Sequence, residues 1–370
     1  MREADPRGGW RGHPGTTSTS GRLQARGLVV VKDDPFNAES PLPALAVVPT
    51  PAAQFYVRSH FSNPVLDAGE WRLRLGGGFD RPVELAFAEL TAMPSRTLQA
   101  TMECAGNDRI GFAPLPPGEP WGAGAVSFGV WRGVPLADIL GRAGLQPGAV
   151  ELLFEGADQG QPEGSDSYQP FLRSLPLEKA CDPDTLLTYE LDGAPLTEDH
   201  GGPVRLLVPG WYGVASVKWL VRITALDQCF RGFFQHERYV IRRSDTDHVE
   251  PLREMLVKSL VTSMQSGDVI APGRHMVAGI AWSGAGRITK VEISADGSPW
   301  EPARLLGAGT AYGWQEWEWE WAVLQPGRHV VRVRATDEHH NVQPDVAAWN
   351  ELGYVNNAIQ LVAVEAHPPN

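Results

Sequence analysis

Cys104 is the residue of this chain best placed to do chemistry. It follows a run in which Leu98, Ala100 and Met102 alternate with Gln99, Thr101 and Glu103. That period-2 pattern predicts a half-buried strand ending at Cys104, and Gly106-Asn107 then turns the chain. A thiol is thereby set at the mouth of a loop, with the cation Arg109 five residues on. The placement suits a soft thiolate that ligates a metal or attacks an electrophile. The competing role is that of a small buried hydrophobe.

A second set of groups surrounds it in the sequence: Arg58-Ser59-His60, Asp158, His200 with Arg205, and Ser216 with Lys218. Singly, each reads as a surface ion-pair residue or a satisfied loop histidine. Together, arginines, histidines and a lysine around one thiol in an acidic protein suit an anion, such as a phosphorylated cofactor. The common active-site signatures are missing: there is no G-x-S-x-G elbow, H-E-x-x-H, Walker loop or EF-hand. Gly76-Gly77-Gly78 is read as a turn, because Arg81 stands where a dinucleotide loop needs its third glycine. Gly12-His13-Pro14-Gly15 has the look of a haem-binding loop, but the stretch around it is too polar to bury a haem.

The elements that must position these groups fall into three stretches. Residues 1–45, rich in Gly, Pro, Ser and Thr, are expected to form a flexible tail. Residues 46–248 mix short strands and loops with few long helices. Val134 to Leu140 reads as a short helix entered through Pro135 and stopped near Gly141 and Gly144. Val204–Val208 and Trp219–Ile223 are apolar runs of strand length. Residues 249–370 carry short strands with turn signals every 8–12 residues or so, the pattern of a β-sandwich. Trp317-Glu318-Trp319-Glu320-Trp321 alternates strictly and puts three indoles on one face, read as an aromatic core face. The expected fold class is thus mixed α+β followed by an all-β sandwich.

Composition narrows the functional classes. The 370 residues allow two ordinary domains, and 42% hydrophobic against 21% charged residues marks a globular chain. A net charge of −12 provides no basic field for nucleic acid or an acidic membrane. Cys104, Cys181 and Cys229 are far apart and form no C-x-x-C pair, which argues against a disulfide scaffold or a structural zinc site. No apolar run approaches the roughly 20 residues of a membrane span. Without an apolar signal core or twin-arginine pair, the expected location is cytoplasmic.

The order of segments resembles the sulfite oxidase family of molybdenum-cofactor enzymes. The resemblance rests on Asp34-Pro35-Phe36-Asn37-Ala38-Glu39, Phe55-Tyr56-Val57-Arg58-Ser59-His60-Phe61 and Cys104-Ala105-Gly106-Asn107. It continues through Phe154-Glu155-Gly156 with Asp158, Leu187 to Gly193, His200 to Arg205, and Val217-Lys218-Trp219-Leu220, and ends in Asn341-Val342-Gln343-Pro344 and Trp349-Asn350. The resemblance implies a molybdopterin-binding catalytic domain followed by an immunoglobulin-like dimerisation domain, and hence a homodimer. It implies that Cys104 ligates molybdenum and that Arg58, His60, Cys104, Asp158, His200, Arg205, Ser216 and Lys218 hold the molybdopterin. Arg109 and Arg58 would face a small anionic or sulfur-containing substrate, and Trp131 would supply a pocket wall. No haem is expected in the chain, so electrons would pass to a separate acceptor such as a cytochrome.

Two departures are expected. The active-site Tyr that the family places after its Lys-Trp strand falls, by counting back from Tyr239, at about Arg231. The Trp-rich strand, from which the family's C-terminal substrate arginine is expected, offers Glu316, Glu318 and Glu320. The implied activity is oxygen-atom transfer, sulfite oxidation to sulfate above all. The alternatives are a sulfoxide or S-/N-oxide reductase on the same cofactor, or a non-catalytic cofactor-binding homologue.

Overall fold

The computed structural model describes residues 27–242 and 249–367. The Gly12–Gly15 motif and the domain boundary expected near His248 lie outside those residues. Two short strands come first, β1 (Val29–Lys32) and β2 (Asn37–Glu39). The first domain continues with β3 (Arg72–Gly77), β4 (Val83–Ala86), β5 (Arg96–Glu103), β6 (Val126–Pro135), β7 (Glu151–Gly160) and β8 (Gln169–Pro176). Then come β9 (Leu186–Leu191), β10 (Ala194–Pro195), β11 (Arg205–Leu207), β12 (Leu220–Leu226) and the antiparallel pair β13 (Val240–Arg242) and β14 (Val249–Pro251).

Two five-stranded sheets carry this domain. One runs β10-β9-β6-β5 with β11 also on β9, and the other runs β4-β3-β12-β7-β8. The β3–β12 pair is parallel, whereas β5 and β6 pair antiparallel over eight residues with Glu103 opposite Val126. The expected strand before Cys104 is therefore present. The expected helix spans Leu136–Ala143, with Pro135 at its N-cap, Asp138 in its first turn, Arg142 in its last, and Gly144 at φ 73° ending it.

The tail expected through residue 45 is not a tail from Gly27 onward. Ala38 and Val57 exchange backbone hydrogen bonds of 2.9 Å, and Phe36, Asn37, Ala38 and Glu39 are buried. The Glu39 carboxylate accepts from Gly122 N–H and, at 3.2 Å, from Gly124 N–H. The strands are too short to show periodicity, and their burial depends on partners distant in sequence.

The second domain is the expected sandwich. Its sheets are β15-β17-β21-β20 and β16-β23-β22-β18-β19, built from β15 (Lys258–Val261), β16 (Val269–Ile270), β17 (Gly273–Trp282), β18 (Ile288–Ala295), β19 (Glu301–Pro302), β20 (Arg304–Leu306), β21 (Gln315–Val323), β22 (Gly327–Asp337) and β23 (Gln360–Ala366). Trp317 and Trp321 are buried in its core, and Trp319 packs against the same cluster, so the indole run is a core face. The first domain's core extends through Trp282, Trp314 and Tyr354, so the two domains share one apolar seam.

Candidate active site

Strand β5 delivers Cys104 to the end of its sheet, where its N–H donates to Ala125 O at 2.9 Å and its carbonyl accepts from Asn107 N–H at 2.9 Å. Asn107 ties the loop down: its Nδ2 donates to Glu103 Oε1 at 3.0 Å, and its Oδ1 accepts from Ala125 N–H at 3.0 Å. The thiol is 5% exposed. Burial raises its pKa, and Arg58, the Gly106 N–H and Arg109 oppose that shift. A bound metal would override the balance, because a coordinating thiol is deprotonated outright.

Cys104 stands where two cavities meet. Arg58, His60, Cys104 and Tyr239 line both. The inner cavity gathers Asp158, His200, Arg205, Ser216 and Lys218, and the outer one gathers Arg109, Trp121, Phe233, Phe234 and Tyr354. Residues spread over 160 positions of sequence, from Arg58 to Lys218, thus converge on one thiol.

The inner cavity concentrates buried positive charge. Arg205 donates to His200 O at 3.1 Å and Ser216 O at 2.9 Å, lies 5.3 Å over the Trp131 ring, and keeps a buried Nε with no partner among the described residues. Burial lowers its pKa to about 10, which leaves it charged at neutral pH. Lys218 Nζ donates to Ser59 Oγ at 2.8 Å and Asp199 O at 3.0 Å, over the Trp219 ring at 4.1 Å. Burial, then Arg205, pull the Lys218 ammonium down, while burial pushes the Asp158 carboxyl up against the attraction of Lys218. His200 Nε2 lies 3.3 Å from Ala52 O, so that nitrogen carries the proton. Burial lowers the His200 pKa to about 4 and keeps the ring neutral.

This donor set fits a molybdopterin. A buried guanidinium with a free N–H and a desolvated lysine call for an anionic partner such as a phosphate. Cys104 at the edge of that cavity is the soft ligand a thiophilic metal requires.

The outer cavity corrects three expectations. Arg231 is exposed and lines neither cavity; the tyrosine of the site is Tyr239 itself. Its hydroxyl lies 2.6 Å from His60 Nε2 and accepts from Arg58. The count failed because a π-helical turn, Phe233–Glu237, intervenes, and Tyr239 sits at φ 57°, a left-handed backbone that sequence gives no sign of. Trp131 is fully buried against Phe55 at 5.6 Å and backs Arg205; the wall indole is Trp121. The strand pattern put Trp131 in β6 facing the core, whereas Trp121 sits on the Pro- and Gly-flanked loop before it. The C-terminal domain reaches the site through Leu352-Gly353-Tyr354 rather than through β21, whose indoles are committed to the sandwich core.

Arg109 lines the outer cavity, and each of its nitrogens donates to a main-chain carbonyl. Nε donates to Gly353 O at 3.2 Å, Nη1 to Glu119 O at 2.6 Å and Nη2 to Leu352 O at 3.2 Å. A Cβ on Gly106 would come within 2.7 Å of its Nη2, so glycine there is what lets the guanidinium lie across the Cys104 loop. Arg109 therefore fastens that loop to the C-terminal domain.

Comparison with known proteins agrees with this geometry. Residues 60–234 match the family described as oxidoreductase molybdopterin binding domain, and residues 250–367 the Mo-co oxidoreductase dimerisation domain. The chain is similar to sulfite oxidase of Gallus gallus, 36% identical over 90% of this chain and 76% of that one. It is 33% identical to the mitochondrial sulfite oxidase of Homo sapiens, over 92% of this chain and 66% of the relative. A nitrate reductase of Brassica napus is 34% identical over 87% of this chain, which spans 39% of that protein. Among solved structures, the sulfane dehydrogenase SoxCD from Paracoccus pantotrophus superposes with a TM-score of 0.80 at 28% identity, covering 99% of this chain and 93% of that one. Among the described residues no helix is long and apolar enough to cross a membrane.

Proposed function

The chain belongs to the sulfite oxidase family of molybdopterin-dependent oxidoreductases, and from that premise we propose that it oxidises a sulfur oxyanion by oxygen-atom transfer, with sulfite as the reference substrate. The balanced reaction is sulfite plus water giving sulfate, two protons and two electrons. The observation that carries the reading is the junction of the two cavities at Cys104, with buried cations on one side and a vestibule lined by Arg58, Arg109 and Arg238 on the other. When bound, molybdenum would be held by Cys104 and would supply the oxygen-atom and two-electron chemistry.

The chain's own residues hold, orient and shield. Arg205, Lys218, His200, Ser216 and Asp158 anchor the pterin and its phosphate in the inner cavity. Arg58 places positive charge beside Cys104, where the oxyanion's charge is held. The Tyr239 hydroxyl, fixed between Arg58 and His60, gives the substrate a hydrogen-bonding partner. His60 is kept neutral, its pKa lowered by burial and then by Arg58 and Lys218, so it orients Tyr239 without adding charge. Arg109 keeps the Cys104 loop closed against the C-terminal domain. The electrons pass to a separate acceptor such as a cytochrome, and the sandwich domain supports a homodimer.

The reductase alternative drew on a missing tyrosine and a missing C-terminal arginine; Tyr239 removes the first motive, while the C-terminal segment at the site, Leu352-Gly353-Tyr354, supplies no arginine. Metal and pterin analysis of the purified protein, together with sulfite oxidation by ferricyanide, tests the proposal. Stoichiometric molybdenum with sulfite turnover is expected; protein made in a cofactor-competent host that lacks molybdenum overturns it.

A further inference from the structure

The outer cavity is larger than its reference substrate needs. It encloses about 420 Å³, within the roughly 300–1,000 Å³ of sites that take organic ligands, whereas a water's share of the liquid is about 30 Å³. Its lining is also divided in character. At the junction stand Arg58, His60 and Tyr239; beyond it the rings of Trp121, Phe233, Phe234 and Tyr354 share the wall with Lys32, Glu119, Gln161, Glu163 and Arg238. Phe234 packs on the His60 ring at 4.6 Å, Tyr354 stacks on Tyr239 at 4.9 Å, and Phe233 lies under the Arg238 guanidinium at 5.3 Å. The phenylalanines ride on the π-helical turn Phe233–Glu237, which buried Arg173 holds by donating to Phe234 O and, at 2.8 Å, to Leu252 O. A buried arginine spent on two carbonyls fixes this aromatic wall in place.

Charge sets the other half of the recognition. Lys32, Arg58, Arg109 and Arg238 line the cavity against Glu119 and Glu163, so cations outnumber carboxylates by two. Guanidinium groups match a pair of oxygens on one atom better than a single soft sulfur. The site thus suits a two-oxygen anionic head at Cys104 with an apolar body along Phe233, Phe234 and Tyr354.

We propose that the substrate is an organic sulfinate, R–SO2−, oxidised to its sulfonate. This rests on the oxygen-atom-transfer reading above and names the substrate class of the same site. The balance is R–SO2− plus H2O giving R–SO3−, two protons and two electrons. One S–O bond forms at the sulfur lone pair, both O–H bonds of water break, and sulfur is oxidised by two electrons. Two equivalents of a one-electron ferric acceptor are reduced.

The test compares sulfite with methane-, butane- and octanesulfinate on molybdenum-replete enzyme, with ferricyanide as acceptor. KM should fall by about fourfold per methylene while the tail lies on the wall, and Phe233→Ala should lower the octanesulfinate-to-sulfite ratio of kcat/KM by about tenfold. Independently of turnover, octanesulfonate should change the protein's tryptophan fluorescence saturably, and Trp121→Phe should abolish the change. Sulfite turnover with a KM for sulfinates that does not depend on tail length, or with no sulfinate turnover, overturns this proposal and leaves the sulfur-oxyanion reading standing. Molybdenum-replete enzyme that oxidises neither sulfite nor any sulfinate overturns both.

Discussion

Trp282 Nε1 donates to Glu103 Oε2 at 2.9 Å, joining the last residue of β17 to the residue before Cys104. Glu103 is 3% exposed, and its other oxygen accepts from Asn107. The sandwich domain therefore supports the thiol loop through one indole. Trp282→Phe leaves a buried carboxylate oxygen unpaired, a cost of about 1–3 kcal/mol. The melting temperature should drop by roughly 2–10 °C, measured by thermal denaturation; an unchanged value would show that the contact does not bear on stability.

Cys104→Ser keeps the size of the side chain and removes the soft ligand. Sulfite oxidation should fall below detection while the circular dichroism spectrum and melting temperature stay at the parent values. Full activity with serine would remove Cys104 from the metal site.

Tyr239→Phe deletes the hydroxyl that Arg58 and His60 hold, leaving the ring stacked on Tyr354. By analogy with the loss of one preorganised donor, kcat/KM for sulfite should decrease about a hundredfold, with pterin content unchanged. Arg231→Ala, at the position first expected to matter, should leave steady-state kinetics within about twofold, as for an exposed side chain.

Lys218→Met removes an ammonium that the inner cavity has already desolvated. On the proposed role of Lys218, the variant lacks one charge-assisted bond to the pterin phosphate and should retain cofactor roughly 10–100-fold less tightly. Pterin released after denaturation and measured by fluorescence, per mole of protein, reports this without reference to activity. Unaltered pterin content in the variant would take Lys218 out of the binding set.

His329 offers a pH effect remote from the site. Its Nδ1 lies 2.7 Å from Asp296 Oδ2 and its Nε2 2.8 Å from Gln325 O, and the bond to Asp296 is the largest cause of a pKa raised above 6.5. The folded state then binds this proton more tightly than the unfolded state. The stabilisation is complete below pH 6.5 and is lost as the pH rises through the raised folded value. His329→Gln should flatten that part of the stability–pH curve in urea titrations; an identical slope in the variant would refute the assignment.

Much of the site was legible because its residues sit in local patterns. Cys104 announces itself by a strand that alternates and a Gly-Asn turn that stops it, and both survive folding. The cations of the inner cavity were readable as types, although only the fold shows that they meet. Tyr239 was hidden by the π-helical turn, which adds residues without adding a visible signal. Trp121 was hidden because a loop position has no period to read, and the family resemblance placed the wall indole ten positions on, at Trp131. The β1–β2 hairpin disappeared into the average composition of 45 residues, since Asn37, Ala38 and Glu39 act through partners at Arg58, Val57, Gly122 and Gly124.

The two cavities share Arg58, His60, Cys104 and Tyr239 and otherwise have separate linings. The outer wall hangs from Arg173 and Arg109 by main-chain carbonyls, whose identity does not depend on the side chains they bear. A substitution at Phe233 therefore leaves the hydrogen bonds of both hooks in place. What the outer cavity accepts can thus be altered at its own wall without touching the residues that line only the inner one.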